Sequence, residues 1–140
     1  MTILAFGTFD VLHIGHIHYL KQARKIAKDD KLIVIVSRDK NAFKFKHKKL
    51  IHNENERLEI IQNLRIVDKA ILGSKDNIYL SVKRVNPKIV VLGYDQAPSD
   101  EILAEKFRKY KISAKIIRAR PFEQETKKSS KIKKALLEID

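Results

Sequence analysis

The chain has 140 residues, a formal net charge of +13 and no cysteine. This length suits one domain with its own core, and the lack of cysteine excludes disulfides and thiolate metal sites. No apolar run approaches the roughly 20 residues of a membrane-spanning helix, and the first residues form a strand pattern rather than a signal peptide. We therefore expect a single domain over residues 1–140 that is soluble and cytoplasmic and has no membrane partner.

The excess of positive charge is concentrated in two stretches. Residues 38–49 contain six Lys or Arg against one acid, and residues 106–134 contain twelve against two. Such a balance attracts phosphate groups in nucleotides, nucleic acid or lipid headgroups. A solvated lysine-rich surface is the alternative interpretation for most of these side chains.

Short apolar runs rich in β-branched residues are typical of strands that are buried on both faces. In chain order they predict strands at Thr2–Phe6, Lys31–Val36, Lys69–Leu72, Ile89–Leu92 and Lys115–Ile117. Helical patterns fill the intervals and the C-terminus. They are an amphipathic stretch from Ile17 to Ala27, a helix opened by Asn53 with Glu56 in a capping-box pattern, Ile78–Val85, a helix capped by Ser99, and a last helix begun by Ser129 or Ser130.

Alternation of strand and helix predicts a parallel sheet with right-handed crossovers and helices on both faces. We expect an α/β fold of the Rossmann-like, three-layer α/β/α kind with a five-stranded parallel sheet. Residues 38–52 and 119–128 lack a clear period, are basic and follow strands. Loops in that position border the ligand crevice of an open α/β sheet.

The segment Gly7–His16 joins the first strand to the first helix and reads Gly-Thr-Phe-Asp-Val-Leu-His-Ile-Gly-His. Backbone N–H groups and the helix dipole favour an anion at such a corner. His13 and His16 can share one side of the first turn and donate hydrogen bonds to phosphate oxygens. Gly7 permits a tight turn and Gly15 a close approach of backbone to a ligand.

Two alternatives exist for this histidine pair. A zinc site would need a third ligand, and none is evident nearby. The histidines could also merely cap the helix or fill the corner. The remaining histidines lack a comparable setting and are interpreted as surface residues: His18, His47 and His52.

The ten residues of Gly7–His16 resemble the signature of the cytidylyltransferase-like nucleotidyltransferases. That superfamily has a Rossmann-like fold and transfers a nucleotidyl group from ATP or CTP to an acceptor phosphate. Val67–Ser74 and Val91–Gln96 are similar to segments of the archaeal FAD synthases, which adenylylate FMN. The nearest competitor, the glycerol-3-phosphate cytidylyltransferases, usually carries Gly-Asp-Asp-Trp at the position of Gly93–Gln96 and a C-terminal Gly-Ile-Ser core that is missing here.

The resemblance implies an enzyme that transfers AMP from ATP to FMN and makes FAD and pyrophosphate, by in-line attack of the acceptor phosphate on the α-phosphorus. The alternative is a CTP-dependent transfer to glycerol 3-phosphate or a similar small phosphate. A divalent cation, Mg²⁺ or else Mn²⁺ or Co²⁺, would bridge the triphosphate without an all-protein metal site. Relatives of this size imply a homodimer. No nucleic-acid-binding module is readable, so we expect no specific nucleic-acid partner.

The resemblance also implies residue roles. Thr8 and Phe9 would contact the nucleotide phosphates through backbone, and His13 and His16 would hold the α- and β-phosphates as catalytic residues. The loop after the second strand would supply lysines, with Lys46 as the catalytic candidate, although spacing does not distinguish Lys44, Lys46 and Lys48. The expected nucleotide contacts are Gly7, Thr8, Phe9, His13, Ile14, Gly15, His16, Asp95, Arg120, Ser129 and Ser130. The expected acceptor contacts are Asp10, Lys44 and Lys46.

Three of these positions also have an interpretation from chemistry alone. Asp95 follows the fourth strand, where a carboxylate can accept hydrogen bonds from ribose hydroxyls or a base amino group, and an Asx turn is the alternative. Arg118 or Arg120 is expected to close the site together with Ser129 and Ser130. For the two serines at the start of the last helix, a simple N-cap is the alternative to phosphate binding.

Overall fold

One parallel sheet lies at the centre of the computed structural model, which describes residues 1–41, 50–96 and 98–121. Its strands are β1 (Thr2–Gly7), β2 (Lys31–Val36), β3 (Lys69–Leu72), β4 (Ile89–Leu92) and β5 (Lys115–Arg118). The helices between them are α1 (Ile14–Ala27), α2 (Glu54–Gln62), α3 (Ile78–Val85) and α4 (Asp100–Lys109). The strand order is β3-β2-β1-β4-β5, with every pairing parallel.

The predicted α/β fold with a five-stranded parallel sheet is confirmed. The predicted bounds of β2, β3 and β4 match the structure, while β1 and β5 each extend one residue further, to Gly7 and Arg118. The capping-box prediction is also confirmed, because Glu56 N–H donates to Asn53 Oδ1 and Asn53 N–H donates to Glu56 Oε1. The last helix, predicted to begin at Ser129 or Ser130, lies outside the described residues.

An apolar cluster covers each face of the sheet. Leu20 of α1 and Ile61 of α2 pack with Ile3 and Ala5 on one face. On the other face, Val82 of α3 and Phe107 of α4 pack in the cluster that contains Leu4, Val90 and Ile35. Successive residues of β1 thus enter opposite clusters, as the alternation of side chains along a strand requires. This arrangement gives the three layers and explains why the strands are apolar without interruption.

The sheet separates between β1 and β4, where the strand order reverses. All six residues of β1 pair with β2, whereas only Ile3, Leu4 and Ala5 pair with β4. Tyr19 of α1 bridges the gap, since its hydroxyl donates to Val91 C=O at 2.6 Å and accepts from Phe6 N–H at 3.0 Å. Burial raises the pKa of the Tyr19 hydroxyl well above its usual value. A crevice at such a reversal is the usual ligand position in open α/β sheets.

Within the described residues, no helix is both long and apolar enough to cross a lipid bilayer.

The bridge made by Tyr19 can be tested with Tyr19→Phe. We expect the free energy of unfolding to fall by about 1–3 kcal/mol, because a buried N–H and a buried C=O lose their shared partner. Urea denaturation measures this change. Lys21→Gln, at an exposed position of the same helix, is the control and should change stability by less than about 0.5 kcal/mol. An equally small effect of Tyr19→Phe would show that the bridge contributes nothing to stability.

Candidate functional site

The corner between β1 and α1 is a tight turn built around Phe9. This residue has a left-handed backbone, with φ of 53°, and its side chain is only 3% exposed. The Phe9 ring lies over Gly7 so closely that a Cβ at Gly7 would come within 2.4 Å of it. Gly7 has no positive φ. A glycine is therefore needed at this position because it leaves room for the Phe9 ring. The sequence analysis expected Gly7 to make the tight turn, but the left-handed residue of the turn is Phe9.

His13 and His16 cap the first turn of α1 with their side chains. His13 is the N-cap residue, and its Nδ1 accepts from Gly15 N–H at 3.1 Å. In return, His16 Nδ1 accepts from His13 N–H at 3.2 Å. This is the reciprocal pattern of a capping box, with imidazole nitrogens in place of the usual oxygens. The two rings stack with centroids 3.8 Å apart, and Gly15 provides room, since a Cβ there would lie 2.8 Å from His13 Cε1.

The cap determines which ring nitrogen of each histidine is a donor. A nitrogen that accepts a hydrogen bond carries no proton, so each neutral ring keeps its proton on Nε2. The stacked rings therefore provide two Nε2–H donors beside the N-terminal N–H groups of α1. Such a cluster of donors at a helix N-terminus suits an anion such as phosphate. The capping alternative and the phosphate alternative are thus compatible, because they use different nitrogens of the same rings.

Asp10 holds the corner against the chain that leads into α2. Its carboxylate is buried, with 1% exposure, and its two oxygens accept from the backbone N–H groups of Ile51 at 3.0 Å and His52 at 2.8 Å. Two hydrogen bonds to backbone are a structural role that the sequence analysis did not anticipate. Contact between Asp10 and the acceptor stays a prediction.

Arg57 holds the candidate site together, and the sequence analysis missed it. Its side chain is fully buried, and its guanidinium donates to Thr8 C=O at 2.9 Å, Ser37 C=O at 2.9 Å and His52 C=O at 3.2 Å, and to the Asp39 carboxylate at 2.6 Å. It thereby joins the corner, the end of β2 and the start of α2. A sequence signal existed, because Arg57 precedes the buried Ile61 by one helical turn and so shares its face.

An ion pair extends this network toward β3. Arg38 donates to Gly73 C=O and to Glu54, both at 2.8 Å, and the other carboxylate oxygen of Glu54 accepts from Asp39 N–H at 3.0 Å. The hydrogen bond from Asp39 N–H, with the Arg38 guanidinium beside it, holds the pKa of Glu54 below its usual value. The carboxyl ends of β1, β2 and β3 are thus connected by charged side chains that bind backbone groups.

The turn Gly93–Gln96, directly after β4, forms the other side of the crevice. The Gln96 side chain accepts from Gly93 N–H at 2.6 Å and donates to Phe6 C=O at 3.2 Å. Arg118, at the end of β5, donates to carbonyls of this turn. Tyr94 and Asp95 are exposed between these fixed points. Asp95 therefore lies at the carboxyl end of β4, where the sequence predicted it.

The remaining predicted residues divide into three groups. Arg120 is exposed just after β5, and its backbone N–H and C=O bind the side chain of Gln22. His18 is exposed as predicted, whereas His52 is half-buried and its backbone binds Asp10 and Arg57. Several predicted positions lie outside the described residues: Lys44, Lys46, His47, Lys48, Ser129 and Ser130.

Across residues 1–41, 50–96 and 98–121, no three His, Asp or Glu side chains are grouped so that they could hold a metal ion.

The chain is similar to known proteins over nearly its whole length. Residues 4–135 match the family model described as cytidylyltransferase-like. A protein of Picrophilus torridus named FAD synthase is 42% identical over 99% of this chain and 98% of its own length, and one of Thermoplasma volcanium with the same name is 40% identical over 98% and 94%. A crystal structure described as a lipopolysaccharide core biosynthesis protein from Thermoplasma volcanium matches with a TM-score of 0.81 and 41% identity, covering 88% of this chain and 98% of that one.

The variant His13→Asn separates the cap from the donor. Asn is a favoured N-cap whose side-chain oxygen can accept the Gly15 N–H, but it has no donor at the position of Nε2. We expect the affinity for inorganic tripolyphosphate to fall about tenfold to a hundredfold, the value of one hydrogen bond to a charged group. Isothermal titration calorimetry measures it, and His18→Asn, an exposed position on the same helix, is the control. Unchanged tripolyphosphate affinity in His13→Asn would contradict the donor role.

The lowered pKa of Glu54 predicts how its contribution to stability depends on pH. A carboxyl whose pKa is lowered by folding stabilises the native state above its unfolded pKa, and this contribution is lost as pH falls through the folded pKa. The free energies of unfolding of the wild type and Glu54→Gln should therefore differ most above the ordinary glutamate pKa of about 4.3. The two values should converge below it.

Urea unfolding at a series of pH values tests this prediction. Glu105→Gln, at an exposed position of α4, is the control and should differ from the wild type by less than about 0.5 kcal/mol throughout. A Glu54→Gln difference that persisted undiminished in acid would show that the carboxylate charge is not what stabilises this network.

Proposed function

Because the chain belongs to the cytidylyltransferase-like family, we propose that it is an FAD synthase, which transfers AMP from ATP to FMN and releases pyrophosphate. The observation that carries the choice of substrates is the 42% identity to a protein named FAD synthase over 99% of this chain. The resemblance at Gly93–Gln96 supports the same choice, because the cytidylyltransferase alternative would carry a different segment there. Glycerol 3-phosphate with CTP is therefore the less favoured pair.

The reaction forms one bond and breaks one bond at the α-phosphorus of ATP. An oxygen of the FMN phosphate attacks in line, and the bond from the α-phosphorus to the β-phosphate oxygen breaks so that pyrophosphate leaves. Negative charge builds on the oxygens of the α- and β-phosphates during this step. The Nε2–H groups of His13 and His16 are donors held in place before the reaction, so they can stabilise this charge without reorganisation. Neither histidine needs to exchange a proton with the substrates.

The rigidity of the corner supports this role. Arg57 binds Thr8 C=O, and Asp10 binds the backbone of Ile51 and His52, so the turn that carries Phe9 is fixed on both sides. Backbone N–H groups at the start of α1 would add to the phosphate contacts. A displacement of about 1 Å in such a site costs roughly a hundredfold in rate, which is why residues that only position the corner matter.

A divalent cation completes the proposal, with Mg²⁺ as the expected ion and Mn²⁺ or Co²⁺ as alternatives. The corner fits an ion that arrives on the triphosphate: its histidines use Nδ1 for the helix cap, and both carboxylate oxygens of Asp10 bind backbone N–H groups. When bound, the ion would neutralise phosphate charge and help pyrophosphate to leave.

The remaining assignments belong to the proposal as well. Asp95 would accept a hydrogen bond from the ribose or the adenine amino group, and Lys46 with Lys44 would bind phosphate. Arg120 and the two serines Ser129 and Ser130 would close the site. We further propose that the enzyme is a cytoplasmic homodimer without a specific nucleic-acid partner.

A four-way assay tests the proposed function. Purified protein is incubated with ATP or CTP, each with FMN or glycerol 3-phosphate, in Mg²⁺, Mn²⁺ or Co²⁺, and pyrophosphate and product are followed. We expect FAD and pyrophosphate from ATP with FMN, and a loss of about a hundredfold to a thousandfold in turnover for His13→Asn. His18→Asn should retain activity. Absence of FAD with every metal would disprove the function, and product from CTP with glycerol 3-phosphate would establish the alternative.

A further inference from the structure

We propose that Arg118 is a positioning residue for nucleoside selection, because its guanidinium holds the turn after β4 in one conformation. The proposal rests on the proposed function in one respect: the turn is taken to face the nucleoside part of the donor nucleotide. The role assigned to Arg118 differs from the one expected from sequence, in which Arg118 or Arg120 would close the site together with Ser129 and Ser130.

One guanidinium satisfies four acceptors around this turn. Arg118 donates to Gly93 C=O at 2.9 Å, to Gln96 C=O at 2.6 Å and to Pro98 C=O at 2.7 Å. Its Nε donates to the Asp100 carboxylate at 2.8 Å, at the start of α4. The planar fork of an arginine matches such a set because its donors point in fixed directions. The turn is therefore held from β5 at its beginning and at its end.

The same turn is connected to the corner between β1 and α1, where we propose that phosphate binds and which we call the phosphate corner. Gln96, whose carbonyl binds Arg118, uses its side chain to join Gly93 N–H to Phe6 C=O. Phe6 is directly followed by Gly7, and the Phe9 ring lies over Gly7. Arg118 thus sets the distance between Tyr94 and Asp95, at the exposed tip of the turn, and the corner that holds His13 and His16. A nucleotide that spans the crevice would need the tip of the turn and the phosphate corner to lie at the correct distance from each other.

Loss of Arg118 should disorder the turn without unfolding the protein. The hydrogen bonds to its carbonyls are only partly buried, so these carbonyls can accept from water when the guanidinium is absent. In the wild type the turn is ordered when the protein folds. Without Arg118 the turn would become ordered only when a ligand binds, and the loss of conformational entropy would lower the affinity. That cost falls on ligands that contact the turn. A ligand that contacts only the phosphate corner should not be affected.

Arg24 offers a matched control at the opposite edge of the sheet. Its guanidinium donates to the carbonyls of Ile66, Lys28 and Asp30 and pairs with the Asp68 carboxylate. The side chains of Arg24 and Arg118 have similar exposure, 25% and 23%. Each of the two arginines therefore donates to loop carbonyls and forms an ion pair with one carboxylate. Arg24, however, lies where β2 and β3 begin, far from the crevice.

The experiment compares Arg118→Gln with Arg24→Gln by calorimetric titration with ATP, CTP and inorganic tripolyphosphate. We expect Arg118→Gln to weaken ATP binding about tenfold and to reduce the preference between ATP and CTP, with tripolyphosphate affinity within about twofold of wild type. Arg24→Gln should bind all three ligands as the wild type does. In the FAD assay, Arg118→Gln should raise KM for ATP and leave kcat within about threefold.

Four results would overturn the proposal. Unchanged ATP affinity in Arg118→Gln would show that the turn needs no support. An equal loss for ATP and tripolyphosphate would mean that Arg118 acts on the whole site through its charge. Arg118→Lys keeps the charge without the fork and should behave like Arg118→Gln, so wild-type ATP binding in this variant would also contradict positioning. If neither variant folded, as judged by circular dichroism, Arg118 would be a purely structural residue.

These titrations separate the proposal from the proposed function. None of them contains FMN, so they report on nucleotide recognition whatever the acceptor is. If the four-way assay yielded no FAD and the titrations still showed selective loss of nucleotide binding in Arg118→Gln, the positioning role would stand and only the acceptor would be wrong.

Discussion

The buried guanidinium of Arg57 is the interaction on which the candidate site depends. Burying a charged group away from water destabilises the folded state unless hydrogen-bond acceptors surround its donors. Removing the charged group is destabilising as well, because its former partners are then buried without a hydrogen bond. Here the acceptors are three backbone carbonyls, of Thr8, Ser37 and His52, together with the Asp39 carboxylate. These acceptors belong to the corner, to the end of β2 and to the start of α2. The three segments can therefore accept hydrogen bonds from the Arg57 guanidinium together only in one relative arrangement.

The corner between β1 and α1 is held by the side chains of its two histidines. His13 and His16 bind backbone N–H groups through Nδ1, which completes the N-terminus of α1, and this leaves the proton of each neutral ring on Nε2. Helix capping therefore selects the tautomer on which the proposed phosphate binding depends. The two glycines of the segment serve the same end by leaving room for aromatic rings, that of Phe9 over Gly7 and that of His13 beside Gly15.

Two sides of the crevice meet at Phe6. On one side, Tyr19 binds Phe6 N–H and crosses to Val91, which keeps β1 and β4 together where their pairing ends. On the other side, Gln96 binds Phe6 C=O and belongs to the turn held by Arg118. The corner between β1 and α1 and the turn after β4 are thus both attached to one residue of β1. This explains how a site made of loops can be rigid, since each loop is held by a side chain from a helix or strand.

Local patterns in the sequence determined the strands and helices, the parallel sheet and the corner. Apolar runs and the caps at Asn53 and Ser99 depend on neighbours within a few residues, so they can be read along the chain. The roles of Arg57, Asp10 and Arg118 were decided only by the tertiary structure. Arg57 is 49 residues from Thr8, and Asp10 is 42 residues from His52. No spacing rule relates such pairs, because they become neighbours only when the parallel strands bring their carboxyl ends to one edge of the sheet.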